Sequence, residues 1–159
     1  MNYPAVLMVA PPRSGTTLLY QLLTLKYDFF YPTNLLAKCY NYPYVFSQSI
    51  DDLNLDSVRQ SSHFTSHLGN THDFLEPHEW GWFWERFLLK NNQSLYHELS
   101  ALQSLYPKPM IFKTIYFNYH VEKLVTFLPK AIFLRVYRNA IETIYSIYNA
   151  IQTKQQPIS

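Results

Sequence analysis

The residues best suited to chemistry stand where an apolar run meets a helix. Residues 5–10 are all apolar, which predicts a strand buried on both faces. Pro11 and Pro12 end the run because neither ring nitrogen can donate to a sheet ladder. The turn that follows is Arg13-Ser14-Gly15-Thr16-Thr17, and leucines at helical spacing come after it. This strand–turn–helix junction predicts a site for a doubly charged anion, because free backbone N–H groups and the helix dipole point there.

The turn departs from the usual nucleotide-triphosphate loop. That loop requires a glycine, four residues and then Gly-Lys-Ser/Thr, whereas Ala10 takes the first glycine position here and Thr16 replaces the lysine. No apolar run ends in an aspartate that could hold magnesium, and the run 132–137 is followed instead by Arg138. A second cation in place of a carboxylate indicates a ligand with two anionic groups and no metal.

At these residues the chain resembles the sulfotransferases that use 3′-phosphoadenosine 5′-phosphosulfate (PAPS). Residues 12–17 are similar to the family's 5′-phosphosulfate loop in its arginine form. Residues 133–146 are similar to its 3′-phosphate motif, in which a serine follows the arginine by eight residues, as Ser146 follows Arg138. Phe112-Lys113-Thr114 resembles the strand that carries a lysine near the sulfuryl group. The resemblance covers about residues 5–26 and 110–150.

The resemblance implies an in-line sulfuryl transfer that depends on positioning and charge stabilisation, as phosphoryl transfer does. It implies that Arg13 and Lys113 face the bond that breaks, and that Arg138 and Ser146 hold the 3′-phosphate far from the chemistry. The residues it assigns to donor binding are Arg13, Ser14, Gly15, Thr16, Thr17, Leu18, Arg138 and Ser146. It implies PAPS as co-substrate and no metal.

The general base is the least defined part of this site. Cytosolic relatives place a histidine two residues after the strand lysine, but Ile115 stands there. The cluster 76–79 lies ahead of three tryptophans, where a carboxylate would be partly desolvated and suited to accept a proton. We therefore expect Glu79 to be the base, with Glu76 and His78 as alternatives.

Each assignment has a plainer structural alternative. The turn at 13–17 could be an ordinary strand–helix connection, and Lys113 could be a surface lysine at a strand end. Glu79 could be a carboxylate stabilised by a helix dipole, and Trp80, Trp82 and Trp84 are more typical of a core than of an acceptor surface. Three histidines could suggest zinc, but no cysteine or carboxylate pattern accompanies them; they are His63, His67 and His72.

Composition narrows the class of protein. Of the 159 residues, 48% are hydrophobic and 18% aromatic, which favours a folded core, and a net charge of +2 without a basic run disfavours nucleic acid as a partner. The lone Cys39 excludes an internal disulfide and suits a reducing compartment. No apolar segment is long enough for a membrane span, and the N-terminus does not resemble a signal peptide. We therefore expect a cytoplasmic protein that acts on a small-molecule or saccharide acceptor.

The remaining periodicity predicts strands that alternate with helices. Strands are expected at 110–113 and 131–137, with a short one within 28–35, and helices at 17–26, 51–60, 76–89, 94–106 and 121–128. A last helix should follow Asn139, capped by that residue together with Glu142, and carry an apolar stripe at 141, 144, 145 and 148. Residues 40–46 should be irregular, and 61–73 a surface loop. The alternation predicts an α/β fold, a three-layer sandwich with a central parallel sheet and a P-loop-like strand–turn–helix.

We expect one sulfotransferase-like domain over residues 1–159, short at its C-terminal side relative to the family. Family members usually continue with a basic loop over the donor nucleotide, which nothing after Gln155 supplies. Two other functions therefore remain open. One is a non-catalytic module that keeps the anion site, or an incomplete sulfotransferase. The other is a degenerate P-loop kinase, which the missing lysine and aspartate disfavour.

Overall fold

A computed structural model describes residues 1–51, 71, 73–90, 92–114 and 116–155. In chain order the elements are β1 (Ala5–Val9), α1 (Thr16–Lys26), α2 (Asn34–Lys38), α3 (Pro43–Asp51), α4 (Gly81–Trp84), a π-helical segment (Glu85–Lys90), α5 (Asn92–Leu105), β2 (Met110–Lys113), α6 (Tyr116–Phe127), β3 (Ile132–Arg135) and α7 (Ala140–Gln155). Strands alternate with helices, as the periodicity predicts.

The three strands form a parallel sheet in the order β2-β1-β3. Met8 pairs with Lys113 on one side of β1, and Val9 pairs with Arg135 on the other. Because all three strands run in the same direction, their carboxyl ends meet at one edge of the sheet. The loop after β1, the end of β2 and the segment after β3 are therefore neighbours, although they are distant in sequence.

Helices cover both faces of this sheet. Leu7 and Phe112 belong to the larger apolar cluster, which also includes buried side chains of α4, α5 and α6. Met8 and Ile111 point to the opposite face and pack with Tyr20 of α1 in a second cluster. The structure thus confirms the expected α/β fold, with a central parallel sheet between helical layers and a strand–turn–helix at residues 5–26.

Two predicted connections differ from the structure. Residues 43–46 are not irregular but form the start of α3, whose first helical residue is Pro43, a position that suits proline because its missing N–H is not needed there. Within 28–35 no full strand forms; Phe30 makes a single parallel bridge to Met110. The helix α2 then begins at Asn34, because the Thr33 side chain accepts a hydrogen bond from the N–H of Leu36 at 3.1 Å and caps it.

The predicted helix at 76–89 is wrong over its first turn. Pro77 makes an antiparallel bridge with Thr33, and the helix begins only at Gly81. Trp80, with φ 58° and ψ 37°, precedes the helix in a left-handed conformation, and its N–H donates to Nδ1 of His78 at 2.8 Å. Glu79 consequently lies before the N-cap of α4. The alternative interpretation, in which a helix dipole stabilises this carboxylate, places it within the first turn of the helix.

The structure confirms the position of the last helix, which begins at Ala140, directly after Asn139. Asn139 caps it by accepting a hydrogen bond from the N–H of Ile141 at 2.9 Å, whereas Glu142 pairs with Arg138 rather than completing a capping box. The apolar stripe is exposed within the described part of the chain, with Ile141 at 77% and Ile144 at 66%. Packing, which periodicity cannot predict, decides whether such a stripe is covered.

Some expectations fall on residues outside those described. Asp51 is the last residue of α3, whereas the rest of the predicted helix at 51–60 and most of the predicted loop at 61–73 lie in the ranges that are not described. His63, His67, His72 and Ile115 lie there as well. Among the helices of the described ranges, none has both the length and the apolar character that a membrane crossing requires.

Candidate functional site

The loop after β1 takes an unusual backbone path into α1. Gly15 is the N-cap of α1 with φ 80°, and a Cβ added there would meet nothing within 4 Å, so the conformation alone explains the glycine. Arg13 also has a positive φ, 64°. The Ser14 hydroxyl donates to the carbonyl oxygen of Pro11 at 2.8 Å and closes the loop locally. An α-helix makes no intrahelical hydrogen bond through its first N–H groups, and it is at these groups of α1 that the sequence predicts an anion.

A buried ammonium lies beside this loop. Lys113, at the end of β2, is only 8% exposed, which excludes the plain surface lysine. Its Nζ donates to Oγ1 of Thr17 at 2.8 Å and forms an ion pair with the carboxylate of Glu79. A buried cation is stable only when it is paired and hydrogen-bonded, and these two partners meet that requirement. Three separate chain segments therefore converge on one nitrogen.

The carboxylate cluster at 76–79 divides its roles. Glu76 is buried and accepts a hydrogen bond from Nε2 of Gln21 at 2.9 Å, whereas the Glu79 side chain remains 35% exposed beside Lys113. Burial lowers the pKa of His78, with Lys113 adding to this effect and Glu79 opposing it. Nδ1 of His78 already accepts from a backbone N–H, so a neutral ring carries its proton on Nε2. Of the three, Glu79 is the group that contacts the buried ammonium.

The tryptophans that precede and begin α4 do not act alike. Trp80 stacks on Phe83 with centroids 3.8 Å apart, and Trp84 contacts Phe112 edge-on at 5.3 Å. Both indoles are buried in the core, as the sequence predicts, whereas Trp82 is 64% exposed. Both core rings pack against Phe112, the residue that precedes Lys113 in β2. Glu79 faces an ammonium, which differs from the indole surroundings expected for it.

A second group of cations lines an open cavity of about 400 Å³. Nε of Arg13 donates to Oγ of Ser146 at 3.2 Å, and Nη1 of Arg138 donates to the backbone carbonyl oxygen of Arg13 at 2.9 Å. Arg138 also pairs with Glu142 through Nε at 3.2 Å. The cavity is lined by Arg13, Arg138, Glu142, Tyr145, Ser146, Asn149 and Ala150. Arg13 and Arg138 thus share one site at the carboxyl edge of the sheet.

The structure places the sequence-predicted residues in two adjoining groups. Lys113, Thr17 and Glu79 form the first, and the side chain of Arg13 joins Ser146 in the second instead of lying beside Lys113. The Leu18 side chain is 54% exposed and aliphatic, so its backbone N–H is the group through which it could bind an anion.

Sequence reasoning missed some residues of the cavity. From the sequence, Glu142 is predicted only as part of a helix cap, and no role is predicted for Asn149. Both lie on the Ser146 face of α7, four residues before and three residues after it, and that helical spacing is the signal that could have revealed them. Among the residues that the structure describes, no three or more His, Cys, Asp or Glu side chains are grouped as metal ligands would be.

The parallel sheet and its strand–turn–helix loop define a P-loop-like α/β protein. The model of the sulfotransferase family matches residues 4–159, and the chain belongs to that family. Membership makes it a transferase, and sulfuryl transfer is the activity of the family. No curated protein and no solved structure matches the chain at a significant level.

Proposed function

We propose that this protein transfers a sulfuryl group from PAPS to a hydroxyl or amine of a saccharide or another small acceptor. The observation that carries the proposal is the position of Lys113, whose Nζ contacts both Thr17, in the first turn of α1, and the carboxylate of Glu79. Sulfuryl transfer needs a cation for the leaving group and a base for the acceptor. The two groups proposed for these roles, the ammonium of Lys113 and the carboxylate of Glu79, are in direct contact.

In the proposed step, the acceptor oxygen or nitrogen attacks sulfur in line, and the bond between sulfur and the bridging oxygen of the donor breaks. The acceptor's proton passes to the carboxylate of Glu79. The electron pair of the broken bond stays on the bridging oxygen of the 3′,5′-bisphosphate product. Lys113 and the first N–H groups of α1 are proposed to stabilise the charge that develops there, together with Arg13 once its side chain turns from Ser146.

The donor's 3′-phosphate is proposed to occupy the cavity that Arg138 and Ser146 line. The Arg138 guanidinium and the Ser146 hydroxyl are hydrogen-bond donors suited to phosphate, which the guanidinium can bind through charge-assisted hydrogen bonds. The Glu142 carboxylate also lines this cavity and opposes an anion. Because a guanidinium carries five N–H donors, Arg138 can bind phosphate without first losing its contact with Arg13.

Binding is tested first, because it does not depend on knowing the acceptor. Isothermal titration of adenosine 3′,5′-bisphosphate in the presence of a magnesium chelator should show saturable binding to the wild-type protein. Arg138→Ala should weaken that binding, whereas Lys123→Ala, which removes an exposed cation of α6, should leave it unchanged. A wild-type titration without heat or any other sign of binding would contradict the proposed donor.

Transfer is tested with radiolabelled PAPS and a panel of saccharide, hydroxylated and amine acceptors. Arg13→Ala and Lys113→Met should each lower the rate by about 10²–10³-fold, the usual effect of removing one donor to a developing negative charge. Arg135→Ala is the matched control, since it removes an exposed arginine of β3. Binding without transfer would favour the non-catalytic module, and magnesium-dependent ATP turnover would favour the kinase.

A further inference from the structure

The backbone of Arg13 adopts a conformation that an arginine does not choose freely. Its φ is 64°, in the left-handed region where Cβ crowds the following carbonyl oxygen. Glycine, asparagine and aspartate visit that region most readily, and arginine is not among them. A conformation of this kind persists only where the surrounding structure enforces it. Some contact must therefore hold the peptide after Arg13 in place.

Arg138, which follows β3, makes such a contact. Nη1 of Arg138 donates to the carbonyl oxygen of Arg13 at 2.9 Å, across 125 positions of sequence. The hydroxyl of Ser14 bonds to Pro11 at 2.8 Å, which closes the turn but does not touch the carbonyl of Arg13. Nε of Arg13 itself donates to Ser146, so side chain and backbone are both tied to the segment that follows β3.

We infer that Arg138 is a positioning residue for the anion loop, in addition to the phosphate ligand that the proposed function makes of it. Its guanidinium lines the cavity and at the same time holds the carbonyl of Arg13. Loss of Arg138 then has two separable effects. It removes a ligand of the 3′-phosphate, and it releases the loop that binds the 5′-phosphosulfate. This inference depends on the proposed function, because both groups belong to the donor named there.

A ligand without the 3′-phosphate separates the two effects. Adenosine 5′-phosphosulfate keeps the group that the loop would bind and lacks the group that the cavity would bind. If Arg138 is a phosphate ligand alone, its removal leaves the affinity for this probe unchanged. If Arg138 also positions the loop, its removal lowers the affinity for this probe as well, although the probe has no 3′-phosphate for Arg138 to bind.

The experiment is a calorimetric comparison of adenosine 5′-phosphosulfate and adenosine 3′,5′-bisphosphate. Arg138→Ala should lower the affinity for adenosine 5′-phosphosulfate by about tenfold. This value lies within the 5–30-fold range that corresponds to the free-energy cost of holding one residue in the left-handed conformation. Arg135→Ala removes the same charge three residues earlier, where the guanidinium lies over the ring of Tyr137 at 4.2 Å, and should change the affinity less than about threefold. If the alanine variant does not fold, Arg138→Met carries the same expectation, since it keeps the aliphatic stem without a donor.

A second comparison tests whether the backbone of Arg13 is the reason. Arg13→Ala and Arg13→Gly lose the same side chain but differ in their preference for a positive φ. When Arg138→Ala is added to Arg13→Ala, the affinity for adenosine 5′-phosphosulfate should fall further. When it is added to Arg13→Gly, that affinity should not change. Equal effects in both backgrounds would overturn the inference even if Arg138→Ala alone weakens the probe.

The failures of the two proposals look different. If the wild type binds both nucleotides and Arg138→Ala loses affinity only for the bisphosphate, the inference is wrong and the proposed donor stands. If the wild type binds neither nucleotide, the proposed donor is wrong, and the inference falls with it.

Discussion

Replacement of Glu79 by glutamine tests the ion pair on which the proposed chemistry depends. The change keeps the size of the side chain and removes its charge, so Lys113 is left with neutral acceptors, the hydroxyl of Thr17 and the amide oxygen of the new side chain. Lys113 is 8% exposed and cannot recover full hydration without moving. The variant should therefore lose both stability and activity, for different physical reasons.

The size of the stability loss follows from the burial of the two partners. Breaking a fully buried pair costs about 3–5 kcal/mol, and an exposed pair contributes about 0–1 kcal/mol. Here the lysine is buried and the Glu79 side chain is 35% exposed, which places the expected loss between these limits, at about 2 kcal/mol. Urea unfolding measures it. Glu85→Gln is the matched control, because Glu85 pairs at 2.9 Å with a lysine whose side chain is 72% exposed; that variant should lose less than about 1 kcal/mol.

The activity of the same variant tests the role of the carboxylate. A glutamine cannot accept the acceptor's proton, so the rate of sulfate transfer should fall by about 10²–10⁴-fold. A stability loss no larger than that of Glu85→Gln would show that the ion pair does not form in solution. A variant that is destabilised but retains the wild-type rate would refute Glu79 as the base and turn attention to Glu76 and His78.

Three further predictions concern stability. Gly15→Ala should lower the free energy of unfolding by about 1–2 kcal/mol, because φ is 80° although the added Cβ meets no atom; an unchanged urea midpoint would contradict that backbone conformation. Tyr20→Phe should cost about 1 kcal/mol, because the buried hydroxyl donates to the carbonyl oxygen of Ile111 at 3.0 Å, and a variant as stable as the wild type would argue against this bond. The pKa of His78 is lowered in the folded protein, so below pH 6.5 the unfolded chain binds a proton more readily than the folded protein does. The contribution of this group to the free energy of unfolding is therefore complete above that pH and declines below it. His78→Asn keeps an acceptor for the N–H of Trp80 but does not titrate, so its stability should fall less between about pH 7 and pH 5, and identical slopes would count against the buried neutral imidazole.

The sequence by itself determined the parts of this protein that follow from local patterns. An apolar run, a glycine turn and leucines at helical spacing are enough to predict β1, the loop and α1, because strand and helix periods are visible over a few residues. The bounds of β2 agree with the prediction residue for residue. The parallel arrangement also follows, since strands separated by helices require crossover connections. The family follows from motifs that are local in the same sense.

Only the tertiary structure decided how distant residues meet. Periodicity could not show that Glu79 pairs with Lys113, that the side chain of Arg13 turns to Ser146, or that Arg138 holds the carbonyl of Arg13. These contacts depend on strand order and register, which bring together segments that no local pattern relates. The delayed start of α4 has the same origin, because a bridge between Thr33 and Pro77 takes the backbone that would otherwise have made the first turn.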